Sequence, residues 1–368
     1  MNSLKPIMVI VFFFGVAIGT DGVARAQKYR GNNAEFVTIF NDTEYPEGLD
    51  MGSDGTLYAG ILLTGEVKAV NLDGSQRTVG TVELDGGVMP GLTLSDDGEI
   101  FLAATAPTAG SDGHGILRMT KDGDVSEFAA FPTNTSPNHI TFNAAGDMLV
   151  SESNPGSIYH VDGITGAVTL WSDNPRLLGY PVPELGGLPL GANGSVLSDD
   201  ETVLYVSNSS TSEILAIAIE PDGSAGELWC YAGAAFDCEV NTAATVAGPD
   251  GLALDADGNM YIASGANNAI VRIDQDDAVV TLWSGYPLEW PAVLRFGASR
   301  NTRHSLFSTN LDASHMFGGE GTPVPGIVRI HVRKQHSRRC ENRHSGHAPS
   351  HHCRPPQASG HGRPHCNR

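Results

Sequence analysis

Basic charge, cysteine and long apolar runs are all scarce in this 368-residue chain. Only 17% of the residues are charged, and 22 Lys and Arg stand against 42 Asp and Glu, for a net charge of −20. Eight of those basic residues fall after residue 330, so the body before it holds 14 bases and 41 acids. A body of that sign repels nucleic acid and anionic membrane, and neither is an expected partner. The longest apolar run, Ile7 to Gly19, is 13 residues, whereas a helical span takes about 20. No Gly-x-Ser-x-Gly occurs anywhere, which disfavours a serine esterase with a nucleophile elbow. Amphipathic-helix patterning is also nearly absent, which points away from helical folds.

The short apolar run has another use. It follows Lys5 and precedes Ala24-Arg25-Ala26, a small-x-small cleavage pattern. Residues 1–26 therefore read as a secretory signal peptide, and a secreted or periplasmic location is expected. In an oxidising compartment Cys230 and Cys238, separated by a short loop, are expected to pair. Residues 331–368 are rich in His, Arg and Pro with almost no apolar side chain, and a disordered basic tail is expected there. Its Cys340, Cys353 and Cys366 show no zinc-type spacing.

What the chain has in plenty is glycine, 44 residues, and a repeat. Six times a run loosely of the form Pro-x-Gly-apolar opens a strand, and the x slot holds Glu47, Pro90, Asn138, Asn193, Asp250 and Ala292. The spacings, 43, 48, 55, 57 and 42 residues, are of the length of one four-stranded propeller blade. Behind the slot the better-preserved repeats run through an alternating strand, a tight turn such as Asp257-Gly258, and further strands, the outermost ending in aromatics. The sixth repeat is one strand short, and residues 34–40 supply a strand of the missing kind. The expected fold is therefore an all-β, six-bladed β-propeller over residues 34–330, closed by its N-terminal strand.

In a propeller, equivalent positions of successive blades meet at one mouth of the central channel. Glu47, Asn138, Asn193 and Asp250 would then present two carboxylates and two amides to one point. Those are hard oxygen donors, suited to Ca2+, or to Mg2+ or Mn2+, rather than to zinc or copper. Asp54, Asp97 and Asp257 lie in distal Asp-Gly-type turns, where acids are ordinary, and carry no assignment. His139 directly follows a slot and is a candidate substrate-binding group, although strand alternation favours turning it into the blade. Sequons occur at Asn41, Asn134, Asn193 and Asn208.

The runs Tyr45-Pro46-Glu47-Gly48, Ser136-Pro137-Asn138-His139, Ala192-Asn193-Gly194 and Gly248-Pro249-Asp250-Gly251-Leu252 resemble the gluconolactonase/regucalcin (senescence marker protein) family of six-bladed propellers. The resemblance covers roughly residues 34 to 330. It implies a divalent cation, usually calcium, held by Glu47, Asn138, Asn193 and Asp250, and it implies hydrolysis of a lactone or related ester. It further implies that Asp250 doubles as the catalytic proton acceptor. Sugar-lactone members follow the first Asn with Asp-Gly and place Arg two residues before it, where this chain has His139-Ile140 and Ser136. The alternative reading is a non-enzymatic exported propeller that binds a small ligand or a protein partner.

Overall fold

A computed structural model describes residues 34–106, 113–182 and 186–332. The leader expected at 1–26 and the tail from residue 333 lie outside the described residues. Within them the chain is all-β, with six four-stranded antiparallel sheets, the fourth extended by the short parallel strand Val240–Asn241. No helix among the described residues is long and apolar enough to cross a membrane.

Each sheet is one blade. The inner strands are Pro46–Met51, Val88–Leu94, Pro137–Phe142, Ala192–Leu197, Pro249–Leu254 and Pro291–Phe296, and each packs on the next around one axis, the sixth returning to the first. Burial falls from the axis outward. Pro46–Met51 is buried at every residue, whereas the outer strand Gln76–Thr81 buries only Val79. The reason is visible in the residues: inner strands carry Leu, Ile and Met between neighbouring sheets, and outer strands alternate polar groups that blunt an exposed edge.

The cores lie between blades. One cluster joins Leu57, Ile61 and Met51 of blade one to Val293 and Phe307 of blade six. Another joins Ile214 and Tyr231 of blade four to Leu252 and Ile262 of blade five. Leu57, Ile61 and Ile262 have no exposed surface, and each such side chain contributes about 1.5–3 kcal/mol through burial. The ring is thus held by sheet-on-sheet packing, which leaves the channel-facing positions free for polar chemistry.

The closing strand is where the sequence places it. Ala34–Ile39 pairs antiparallel with Gly326–His331 and completes the blade whose inner strands come from the other end of the chain. Cys230 and Cys238 are joined by a disulfide. Two of the four sequons are unusable in the folded chain: Asn193 is 3% exposed and Asn208 is fully buried, its amide donating to the carbonyls of Arg176 and Leu178.

Candidate functional site

At one level of every inner strand the ladder slips. The register shifts between Pro46 and Leu49, Val88 and Gly91, Pro137 and Ile140, Ala192 and Ser195, Pro249 and Leu252, and Pro291 and Leu294. Each irregularity brackets a slot residue. A bulge of this kind leaves an extra residue unpaired and re-aims its side chain, so it lifts the slot out of the sheet pattern. The strands also approach closely there. A Cβ on Gly91 would stand 1.9 Å from the carbonyl oxygen of Asn138, and one on Gly194 would stand 2.3 Å from that of Asp250. Where a glycine follows the slot, it is therefore a packing requirement of the close approach between neighbouring inner strands.

Glu47, Asn138, Asn193 and Asp250 are all buried, between 3% and 7% exposed. The two carboxylates feel each other: burial and then the charge of Asp250 push Glu47 well above the usual carboxylate range. Burial likewise raises Asp250 to about 7, partly offset by hydrogen bonds from the Trp290 and Asn193 side chains. The Oε2 atom of Glu47 is buried without a hydrogen-bond partner among the described residues. Two buried acids that destabilise each other's charge, one with an orphaned oxygen, form an arrangement short of positive charge.

The amides are held differently. The Nδ2 of Asn138 donates to Ser153 Oγ at 2.9 Å, and that of Asn193 donates to Ser209 Oγ at 3.0 Å. Asn193 also reaches Asp250, and Asn138 lies on the strand beside it. The donor set fits a hard divalent cation: two carboxylate and two amide oxygens, with one carboxylate oxygen unsatisfied.

His139 stands elsewhere in the channel. Its electrostatic neighbours are Arg295 and Asp50, and burial first, then Arg295, lowers it to about 4, so the ring is neutral at physiological pH. Asp50 and Arg295 form a layer of their own, three residues past slots one and six. Arg295 Nε and Nη2 each donate to Asp50 at 2.6 Å, and Thr93 Oγ1 and the Leu94 amide add 3.1 and 2.9 Å bonds. Despite burial, the Arg295 charge and these donors keep the Asp50 carboxyl below its ordinary range. Among the described residues the one cluster of three metal-ligating types is Glu213 with Cys230 and Cys238. The disulfide occupies both sulfurs, so that cluster is not a site.

Several of these residues escape a sequence reading. Ser153, Ser209 and Trp290 belong to no motif, and Asp50 and Arg295 are 245 residues apart. The only signal for the pair is that a lone acid and a lone base share one phase of the repeat.

A family model matches part of this chain. Residues 182–309 match the SMP-30/gluconolactonase/LRE-like region. That region spans the slots of Asn193, Asp250 and Ala292. A gluconolactonase from Xanthomonas campestris is similar in structure, with a TM-score of 0.60 and 17% identity, over 82% of this chain and 89% of that one. A calcium-binding regucalcin from Agrobacterium tumefaciens aligns at 0.57 and 16%, over 80% and 92%. Virginiamycin B lyase from Staphylococcus aureus aligns at 0.51 and 16%, over 82% and 99%. No curated protein matches. At these identities the likeness to the solved structures speaks for the gluconolactonase-like propeller fold alone, and that fold serves a lyase as well as a lactonase.

Proposed function

We propose that this chain is a divalent-cation-dependent hydrolase of lactones or related esters, with calcium the first choice of ion and Glu47, Asn138, Asn193 and Asp250 its holders. The observation that carries the reading is the buried Glu47–Asp250 pair, Glu47 raised by burial and the charge of Asp250, Asp250 raised by burial, with one Glu47 oxygen unpartnered. Bringing two anionic carboxylates together in a buried site is unfavourable unless a cation compensates them.

When bound, the cation supplies Lewis-acid polarisation of the substrate carbonyl and stabilises the charge that develops on its oxygen. The chain's own residues do the rest. Asp250, held by the Trp290 side chain and the Asn193 amide, is the group that takes a proton from the attacking water. The two amides add oxygen donors without adding charge, so the net charge of the ligand set stays at that of one divalent ion. Trp290, packed with Val182, Ala292 and Leu311, gives the site an apolar wall that excludes water from one side.

The segment 1–26 supports export, and the protein is proposed to act in the periplasm or outside the cell on a small molecule. The test is direct: protein stripped with chelator is assayed on aliphatic, aryl and sugar lactones with and without added calcium. Turnover that returns with the ion supports the proposal. Ion binding without turnover on any lactone or ester would favour a binding propeller instead.

A further inference from the structure

We propose that Ser153 and Ser209 are positioning residues that lock Asn138 and Asn193 with their amide oxygens toward the axis, in the orientation a cation requires. The inference rests on the reading of the four slot residues as ligands and adds two groups to it. A serine hydroxyl has one hydrogen. Ser153 gives it to the carbonyl of Ala192 at 2.8 Å, and Ser209 gives it to the carbonyl of Pro249 at 2.7 Å. What remains on each Oγ is acceptor capacity, and only the nitrogen end of an amide can use it. The planar side chain of each Asn is thereby fixed nitrogen to serine and oxygen away.

The relay also links the slots. Ala192 immediately precedes Asn193, and Pro249 immediately precedes Asp250. Each serine therefore ties the amide of its own blade to the backbone that carries the next slot residue. A shift in one slot is passed to its neighbour, which is how single residues from three blades keep one geometry.

The repeat contains its own comparison. The serines occupy the position whose amide donates to the carbonyl near the start of the slot run: Ser153 to Ser136 and Ser209 to Gly191. In the blades whose slots hold carboxylates the same position is Leu62, donating to Tyr45, and Gly265, donating to Gly248. A carboxylate has oxygen at both ends and needs no orienting partner, and there the hydroxyl is missing. In blade two, where the slot is Pro90, Thr105 pairs with Val88 and its buried hydroxyl has no partner among the described residues. Of these five blades, hydroxyl and amide bond to each other only where a neutral ligand must be held one way round. Such outer groups tune metal affinity by roughly 10–100-fold.

Calcium titration calorimetry on the full chain tests the relay. Ser153→Ala and Ser209→Ala should each weaken calcium binding by about 10–100-fold, with folding of the ion-free protein followed by thermal melting. The discriminating arm is a double-mutant cycle. Asn138→Asp removes the need for orientation, so Asn138→Asp and Asn138→Asp/Ser153→Ala should bind calcium equally. Should the serine loss cost as much in the Asp background as in the Asn background, its role is merely structural and the proposal is overturned. Serine variants that bind like the unaltered protein overturn it too. An unaltered protein that takes up no calcium removes the ligand reading itself, a result distinct from either. The two serines provide independent arms if one variant folds poorly.

Discussion

Replacing Asp250 by Asn should make the ion-free protein more stable at pH 8, the reverse of the usual effect of altering a buried charged residue. Burial raises the carboxyl from 3.8 to about 7. The folded chain therefore holds this proton more tightly than the unfolded chain does. Stability then falls as pH rises from the lower value to the higher, and levels off above it. At 1.36 kcal/mol per pH unit the full penalty is on the order of 4 kcal/mol, an upper bound because an Asn side chain there has its own hydrogen bonds to satisfy. At roughly 2–4 °C per kcal/mol for domains of 150–250 residues, and toward the low end for a longer chain, Asp250→Asn should melt several degrees higher in chelator at pH 8. The gap should shrink steadily toward pH 4, where the unfolded carboxyl is itself protonated. Calcium should narrow the gap, since saturation at 100 times Kd adds about 2.7 kcal/mol to the unaltered protein and less to the variant. The assay is thermal melting across pH 4–8, with chelator or calcium. A variant that melts below the unaltered protein in chelator by the same margin at every pH would refute the reasoning.

Other consequences are as concrete. Asp250→Ala should lower both calcium affinity and turnover, whereas Asp257→Ala, in an exposed distal turn, should change neither, by calorimetry and lactone assay. Arg295→Met leaves the Asp50 carboxylate 5% exposed with its ion partner gone and should cost about 2–3 kcal/mol in urea unfolding at pH 7, discounted because Arg295 itself is 44% exposed. Asp50 is depressed in the fold, so its contribution is present at neutral pH and lost on acidification, and the cost of Arg295→Met should fade toward pH 3. Gly194→Ala drives a methyl to within 2.3 Å of the Asp250 carbonyl. It should destabilise by about 1–3 kcal/mol and weaken calcium binding, because the strand it displaces carries the proposed ligand Asp250.

The fold was legible because propeller repeats write themselves at a fixed phase. The slots from Glu47 to Ala292, and the orphan strand at 34–40 facing a sixth repeat one strand short, are enough to set the blade number and the closure. The bulges were not legible, since a register slip depends on how neighbouring strands close on glycines such as Gly91 and Gly194. The four proposed oxygen ligands stand out through their shared phase. Ser153 and Ser209 do not, because a serine's role is decided by the carbonyl it meets in the next blade. Trp290 was hidden for a related reason: its left-handed backbone, φ 52°, is held by Asn268, whose Oδ1 accepts the Trp290 amide at 2.8 Å, and nothing local in the sequence marks it. The burial of the sequons at Asn193 and Asn208 cannot be read from a three-residue pattern.

The most direct measurement is anomalous diffraction from crystals grown with manganese, whose signal locates the ion without reference to the protein phases. One strong peak is expected on the propeller axis within about 2.5 Å of oxygens from Glu47, Asn138, Asn193 and Asp250. An axis without a peak, or a peak confined to the surface turns, would contradict the proposed cation site.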